Sequence, residues 1–229
     1  MFGVAKQASE GVGMDDSAQV GQRLRSAREE QGLSLREVAR RLDISASALS
    51  QIETGKSRPS VKTLYAIVSE LGLSMDELFA EPGAEREAPV PSAPAAPTNG
   101  AGASEAPVVQ RAGSRSSLEL ETGVTWDRLT AAHDSNVDFL FTTYPPGSSS
   151  SGSEKLVRHN GREYGLILSG ELELTVGFET YSLGAGDSCS FDSNEPHRLA
   201  NPGSEPTTAI WFVIGRRQSD PRQISFDAD

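Results

Sequence analysis

Residues 35–55 read LREVARRLDISASALSQIETG, and this stretch decides the fold of the N-terminal part of the chain. Ser34 precedes an apolar pattern of helical period and has a glutamate three residues further on, a spacing that predicts a capped helix. Ser45 stands in the same place before a second pattern, which Gly55 ends. The stretch therefore predicts two short helices joined by a tight turn at Asp43.

Similar signals predict three more helices around this pair. One ends at Gly32, one runs between Ser60 and Gly72, and a short one begins at Ser74. Five helices within residues 18–80 predict a compact bundle.

This stretch resembles the helix-turn-helix of phage-repressor-like (Xre-type) regulators. Ala39 is small where the two helices would cross, Leu49 is apolar where the second helix would pack back, and Gln51 follows on that helix. The family prefers glycine in the turn, but aspartate tolerates the left-handed region better than most residues, so we expect the turn to survive at Asp43. The resemblance covers nearly all of residues 20–80 and implies binding to a double-stranded DNA operator.

Residues near the start of the second helix are the candidates for reading base edges in the major groove. They are Ser45, Ala46, Ser47, Ser50 and Gln51, and the amide of Gln51 can pair with adenine. The candidate phosphate contacts around the motif are Arg23, Lys56, Arg58 and Lys62.

Charge supports this assignment. Residues 20–62 hold nine basic and five acidic residues, a net charge of +4, in a chain whose formal net charge is −11. Positive charge is thus concentrated where DNA would lie. The alternative is a helical bundle whose arginines are solvated or contact proteins. For a DNA reader we expect a homodimer that binds two half-sites about 34 Å apart.

The segment 81–107 contains six of the 13 prolines and many alanines. Such a segment cannot bury enough apolar surface to offset the entropy of ordering it, so it predicts a disordered linker. It separates the helical domain, residues 18–80, from a second domain, residues 108–215. The termini, residues 1–17 and 216–229, are expected to be disordered.

A flexible linker of this length has an end-to-end distance of about 30 Å and cannot transmit a small rigid rotation. We therefore expect ligand binding to act through domain docking or dimer geometry. Nothing before Met14 carries a structural pattern, so Met14 is an alternative start to Met1.

Composition excludes several classes of protein. A net charge of −11 excludes a uniformly basic nucleic-acid coat. Cys189 is the single cysteine, which excludes an internal disulfide or a Cys-rich zinc site and fits a reducing compartment. The sequence has no apolar run of about 18 residues and no secretory signal pattern, so no membrane association and a cytoplasmic location are expected.

The second half of the chain has the period of β-strands. Polar and apolar residues alternate over 171–176, and residues 210–214 form a continuous apolar run. Turn signals at residues 177–178, 184–187 and 201–203 separate short strands. Closely spaced strands without helices between them predict an antiparallel sandwich or barrel.

Two stretches in this half resemble the paired motifs of cupins. In the first, His159-Asn-Gly-Arg-Glu163 precedes Gly170 by six residues; in the second, Gly186-Asp187 leads to Pro196-His197 and then Asn201. The resemblance covers about residues 120–215 and implies a conical β-barrel, the double-stranded β-helix, with metal ligands inside. The chain departs from the family at Val157, where another histidine is usual, and at Asp192 and Asn194, where proline and glycine are usual.

The cupin resemblance leaves His159, Glu163 and His197 as candidate ligands of a divalent metal. Two imidazoles and one carboxylate can hold Fe(II), but the same set accepts Zn, Mn or Ni. The alternative is that the three are polar pocket or loop residues without a metal. Candidate pocket residues are Tyr144, Tyr164, Phe191 and Trp211, for which plain core packing is the alternative. His133 is expected on the surface and Cys189 in the core.

Two functions remain. The favoured one is a sequence-specific transcriptional regulator, not an enzyme, whose cupin domain senses a small metabolite. The alternative is a cupin metalloenzyme of the non-haem iron epoxidase or oxygenase type with an accessory helix-turn-helix, since an iron epoxidase acting on a hydroxyalkyl phosphonate shares this layout. The effector class stays open among amino acids, polyamines, sulfonates and phosphonates.

Overall fold

The computed structural model of the protein describes residues 16–79, 108–132, 134, 136–151 and 155–215. The five α-helices of the N-terminal part are α1 (Asp16–Glu30), α2 (Leu35–Arg41), α3 (Ala46–Glu53), α4 (Val61–Glu70) and α5 (Met75–Phe79). The predicted five-helix bundle is confirmed. Its first helix begins at Asp16, two residues before the predicted start of the domain.

Serine hydroxyls cap four of these helices by accepting a hydrogen bond from the main-chain N–H three residues further on. The capping residues are Ser34, Ser45, Ser60 and Ser74, which precede α2, α3, α4 and α5. Before α5 the capping box is complete, because Glu77 also accepts from the main-chain N–H of Ser74. Before α2 the serine half forms, while the carboxylate of Glu37 pairs with Arg41.

The turn between α2 and α3 depends on Asp43. Its φ of 54° lies in the left-handed region, and it is the only non-glycine residue with positive φ in the described part of the chain. Ala39 and Leu49, on the two helices that the turn joins, are both buried in the core. The turn therefore survives with aspartate in the place where the family prefers glycine.

A buried ion pair joins α1 to α3. The guanidinium of Arg28 donates from Nε and Nη2 to the two carboxylate oxygens of Glu53, at 2.6 and 2.8 Å. The two side chains are only 8% and 3% exposed. The same helices approach closely at Gly21, where a Cβ would lie 2.3 Å from the carbonyl oxygen of Ile52. These contacts fix the orientation of α3 on α1.

Nine antiparallel strands occupy the described part of residues 108–215. They are β1 (Ser117–Glu119), β2 (Thr125–Arg128), β3 (Val137–Tyr144), β4 (Arg162–Ser169), β5 (Glu171–Val176), β6 (Glu179–Gly184), β7 (Ser188–Asp192), β8 (His197–Ala200) and β9 (Thr207–Ile214). One sheet has the order β1-β2-β3-β9-β4-β7 and the other the order β6-β5-β8. Inward-facing residues of both sheets line one cavity, as expected for the predicted barrel.

The outer surface of the larger sheet is unusually apolar. Phe212 of β9 lies opposite Phe139 of β3 and Tyr164 of β4, and the rings of Phe139 and Phe212 stack with centroids 4.2 Å apart. The residues of this surface, here called the apolar sheet face, are Phe139, Phe141, Tyr164, Leu166, Leu168, Ile210, Phe212 and Ile214. Four of them are between 40% and 45% exposed, so the face carries large apolar side chains in contact with solvent.

The helical and strand-rich domains touch at the start of α4. Arg58, just before this helix, donates to Glu119 of β1 at 2.7 Å. The main-chain N–H of Glu121 donates to the carbonyl of Pro59 at 3.0 Å. The ring of Tyr65 lies 5.4 Å from that of Trp126, centroid to centroid. Helix α4 is therefore docked on β1, β2 and the turn between them.

Several predictions concern residues that the structure does not describe. The linker (81–107), most of the N-terminal tail (1–17), the C-terminal tail (216–229) and His133 lie outside the described residues, and their assignments remain predictions. Among the described helices, none has the length and apolar character needed to cross a membrane.

We expect Glu53→Ala to lower the free energy of unfolding by about 3–5 kcal/mol, because it leaves the buried guanidinium of Arg28 without its anionic partner. Urea unfolding followed by circular dichroism measures this loss. The control is Glu70→Ala, which removes a partly exposed carboxylate paired with Arg41 and should leave the urea midpoint almost unchanged. Equal midpoints for the two variants would contradict a structural role for the buried pair.

Candidate functional site

Helix α3 and its N-cap present the residues predicted to read DNA. Ser45, Ser47 and Gln51 are exposed, while Ala46 and Ser50 are half-buried. The hydroxyl of Ser45 accepts a hydrogen bond from the main-chain N–H of Ala48 at 3.0 Å, so it caps the helix in addition to any contact with DNA. The exposed surface of α3 offers amide and hydroxyl groups at the end of a helix that can enter a major groove.

The four predicted phosphate contacts fall into three environments. Lys56 and Lys62 are exposed on either side of the start of α4. Arg58 is also exposed but pairs with Glu119 of the strand-rich domain. Arg23 is half-buried and donates to the main-chain carbonyl of Leu78, so in this structure its guanidinium joins α1 to α5 and does not extend into solvent. Lys56 and Lys62 are thus best placed to meet a phosphate.

The three candidate metal ligands meet inside the barrel. Oε1 of Glu163 lies 2.9 Å from Nε2 of His159 and 3.1 Å from Nε2 of His197. The three side chains are 4% to 5% exposed. Glu163 reaches this point because it occupies an inward position of β4, and His197 because it begins β8.

Main-chain carbonyls fix the tautomers of the two histidines. Nδ1 of His159 lies 3.1 Å from the carbonyl oxygen of Asn160, and Nδ1 of His197 lies 2.9 Å from that of Glu195. A carbonyl oxygen only accepts, so each Nδ1 carries the hydrogen, and in the neutral ring Nε2 presents a lone pair. In the neutral state both lone pairs are directed toward the Glu163 carboxylate, and in the protonated state an N–H takes the place of each lone pair.

Glu163 carries a negative charge in this site. Burial by itself would raise the pKa of its carboxyl group, but the two adjacent imidazoles, in the protonated state in which Nε2 also carries a hydrogen, outweigh burial and lower the pKa below its ordinary value. Its second oxygen, Oε2, accepts a hydrogen bond of 2.7 Å from the indole N–H of Trp211. The carboxylate is therefore ionised and held in one orientation.

The chemistry of this cluster fits a cation. Nε2 of His159 and Oε1 of Glu163 do not meet hydrogen-bond geometry despite their 2.9 Å separation, and neither has another hydrogen-bond partner among the described residues. Three acceptor atoms within 4.8 Å of one another repel unless a proton or a metal ion lies between them. The carbonyl-anchored imidazoles and the Trp211-anchored carboxylate are the outer contacts typical of metal ligands.

The cavity at this cluster is small. Its volume is about 20 Å³, which is room for about one water molecule. It is lined by Val61, Tyr65, Trp126, Leu140, Thr142, Tyr144, Ser150, Val157, His159, Glu163, His197, Leu199 and Trp211. Val157, in the place of the family's further histidine, supplies an apolar wall and no fourth ligand.

Two of the four predicted pocket residues line this cavity, and two do not. Tyr144 and Trp211 are buried in its wall, and burial raises the pKa of the Tyr144 phenol, which therefore stays protonated. Tyr164 lies on the apolar sheet face, 40% exposed, so its assignment to the pocket is wrong. Phe191 is buried and packs 5.0 Å from His197, centroid to centroid, outside the cavity wall.

Sequence reasoning missed the two lining residues that come from the helical domain. Val61 and Tyr65 lie one turn apart on α4, and the Tyr65 ring is 4.4 Å from that of His159, centroid to centroid, at an interplanar angle of 34°. The helical spacing of apolar residues along α4 was an available signal that both are buried, but it carries no signal of the partner. Trp126 was also missed, although the inward period of β2 was available as a signal.

Gly165 shapes the floor of the cavity. It lies opposite Trp211 in the pairing of β4 with β9, and a Cβ at this position would lie 2.1 Å from Cζ3 of the indole. The indole of Trp211 therefore packs directly on the main chain of Gly165, in a position from which its N–H donates to Glu163.

Cys189 is half-buried against the core, as predicted. Burial raises the pKa of its thiol to about 11, so the thiolate is scarce at neutral pH.

Two protein families match the chain. A helix-turn-helix family matches residues 24–78, and a cupin domain family matches residues 140–213. The HTH-type transcriptional regulator PuuR of Escherichia coli (strain K12) is 30% identical to this chain over 187 residues, which cover 82% of this chain and 90% of PuuR. The HTH-type transcriptional regulator DdrOP3 of Deinococcus deserti is 39% identical over 58 residues, 25% of this chain and 45% of that protein.

Among solved structures, an HTH_3 family transcriptional regulator from Vibrio cholerae is similar with a TM-score of 0.59 and 21% identity, over 88% of this chain and 99% of that one. This likeness concerns the fold. A hydroxypropylphosphonic acid epoxidase from S. wedmorenis covers 86% of this chain and 98% of its own, with 18% identity and a TM-score of 0.41. A likeness at that level carries no argument about activity.

Proposed function

This chain belongs to the HTH-type transcriptional regulators that carry a cupin domain, and we propose that it binds a specific operator in double-stranded DNA and senses a small metabolite in its barrel. The observation that carries this proposal is the exposure of Ser45, Ser47 and Gln51 on one capped helix, while the cavity lies in a separate domain. Operator binding would place its action in the cytoplasm.

Recognition would combine base contacts from α3 with phosphate contacts around it. The amide of Gln51 matches the donor and acceptor of adenine in the major groove. Lys56 and Lys62 supply exposed positive charge at the start of α4. A few phosphate contacts give modest affinity with a strong dependence on salt.

A homodimer would supply the second reading head. Helix-turn-helix proteins gain affinity by binding two half-sites about one helical turn apart. The apolar sheet face offers a place for a second copy of this chain, because its stacked phenylalanines and exposed leucines would be covered in a two-fold contact. The face lies on the side of the larger sheet opposite the cavity, so the contact would not cover the cavity in either copy.

A divalent metal fits the cluster in the barrel. Nε2 of His159, Oε1 of Glu163 and Nε2 of His197 would hold it on one side, and Fe, Zn, Mn and Ni all accept this ligand set. When bound, the ion would supply a positive charge and open coordination positions toward the cavity.

The lining of the cavity limits the effector. Among the described residues, no Lys or Arg lines it, and Glu163 is its one carboxylate. A sulfonate or phosphonate would therefore need a bound metal as its counter-charge, whereas a cationic amine can pair with Glu163 directly. Whether the purified protein contains a metal therefore distinguishes a sulfonate or phosphonate effector, which needs the metal, from a cationic amine, which does not.

The alternative is a metalloenzyme with an accessory helical domain, and the buried His–Glu–His cluster is the observation that favours it. We propose a regulator that is not an enzyme, because an accessory domain has no need of an exposed recognition surface. Metal-dependent oxygen uptake with a candidate substrate, lost in His197→Ala, together with no sequence-specific DNA binding, would favour the enzyme.

We expect Gln51→Ala to weaken binding to the operator by about 5- to 150-fold, the cost of losing one base-specific contact. The operator is first identified by selection from random duplexes, and affinities are measured by fluorescence anisotropy at fixed salt. The control is Ser69→Ala, an exposed position near the C-terminal end of α4, which should bind as the wild type does. Failure of the wild-type protein to select any sequence would refute operator binding.

We expect Leu166→Asp to convert a dimer, of roughly twice the 24.3 kDa chain mass, to a monomer. A charge in the centre of the apolar sheet face would have to be desolvated on association. Light scattering coupled to gel filtration measures the mass, with Ser182→Asp on the smaller sheet as the control. A folded Leu166→Asp protein that remains dimeric would place the interface elsewhere.

We expect Glu163→Gln to reduce bound metal, because losing a direct ligand costs at least the roughly 10–100-fold in affinity typical of losing an outer contact. Metal is quantified by mass spectrometry after purification without chelators. The matched control is Glu195→Gln, an exposed carboxylate two residues before His197. The metal assignment fails if the two variants carry the same amount.

A further inference from the structure

The helical domain forms part of the wall of the barrel cavity. Val61 and Tyr65 of α4 stand among residues that otherwise all come from the strand-rich domain. Tyr65 is 6% exposed, and its ring packs against both His159 and Trp126. One end of the cavity is thus closed by the domain that carries the DNA-reading helix.

With the two domains docked, the cavity is too small for an organic effector. Its volume of about 20 Å³ admits a water molecule or a metal ion. Sites for small organic ligands typically measure about 300–1,000 Å³. An effector can therefore bind only if part of the cavity wall moves and enlarges the cavity.

Helix α4 is the part of the cavity wall that moves away most readily. Most of the other lining residues belong to strands whose hydrogen-bonded ladders would have to break. The lining residues between β3 and β4 are Ser150, Val157 and His159, and the main-chain N–H of each donates to a carbonyl of β8 or of the turn before it. The start of α4 is held by the half-exposed pair of Arg58 with Glu119, by one main-chain hydrogen bond from Glu121 to Pro59, and by the packing of Val61 and Tyr65 on the cavity wall, with no strand ladder. An exposed ion pair of this kind stabilises a contact only weakly.

We propose that α4 is a removable lid: an effector occupies the barrel only when Tyr65 and Val61 leave it, so that effector binding and docking of the helical domain exclude each other. This inference rests on the proposed effector-sensing function and names its mechanism. The same movement separates Arg58 from Glu119 and frees a predicted phosphate contact. Because the two states are exclusive, anything that stabilises docking weakens effector binding by the same factor.

The two tryptophans of the chain report on this lid. Trp126 and Trp211 both line the cavity and are 3% and 4% exposed. Acrylamide is an uncharged solute larger than water, and it quenches indole fluorescence on contact. Quenching of the full-length protein therefore measures how often the cavity opens to an organic molecule, without knowledge of the effector, the metal or the operator.

The test compares a variant that loosens docking with one that locks it. Glu119→Arg places two guanidinium groups together and leaves every lining residue unchanged; we expect the quenching constant to rise by about fivefold, the change in open population that loss of one exposed ion pair allows. The locked protein carries Pro59→Cys and Glu121→Cys in a Cys189→Ser background, at two positions whose main chains are joined by a hydrogen bond of 3.0 Å. Its quenching should fall on oxidation and recover on reduction.

Ser69→Ala serves as the control, and circular dichroism confirms that each variant is folded. If folded Glu119→Arg and the oxidised locked protein are quenched as the wild type is, the cavity opens by another route and the lid is refuted. That result would leave operator binding untouched. Conversely, failure to select an operator would refute the proposed function without changing the quenching of the tryptophans.

Discussion

The contact between the rings of Tyr65 and His159 is the point on which the two domains of this protein depend. Through this contact, helix α4 of the helical domain touches His159, which in turn touches the buried carboxylate of Glu163. The same contact explains why the cavity is nearly filled and why its chemistry is confined to one cluster. If effector binding and docking exclude each other as proposed, such a regulator needs no rigid linker, because the signal would pass through the surface that both domains share. The length of the linker predicted action through domain docking or dimer geometry, and the lid proposed for α4 is a form of the first.

Much of the helical domain could be predicted because its signals are local. Serine caps, glycines after helices and a left-handed aspartate each act over three or four residues, and the structure has them where the sequence placed them. The buried pair of Arg28 and Glu53 could not be found in this way. Its members are 25 residues apart, and nothing in their spacing distinguishes them from the exposed charges around them.

In the barrel, the positions of residues that belong to a sequence motif could be predicted. The positions of pocket residues that were assigned only because they are aromatic could not. His159, Glu163 and His197 meet as the cupin resemblance implied. Tyr164 was assigned to the pocket because aromatic residues often line pockets, yet its neighbour Glu163 faces inward, and successive residues of a strand face opposite sides. That rule alone excludes Tyr164. The contact of Tyr65 with the cavity could not be predicted, because the pattern of an amphipathic helix shows which side is buried but not which part of the protein covers it.

The bare backbone at Gly165 has a consequence for how such a cavity changes over generations. The indole of Trp211 occupies the volume that any side chain at position 165 would fill, so the two positions can be exchanged only together. A descendant with a smaller residue at 211 would gain a deeper chamber while keeping all three polar groups of the cluster. A change in the ligands that the barrel accepts can therefore begin at a glycine that does not itself contact the ligand. A redesign of the cavity for larger ligands would start from positions 165 and 211.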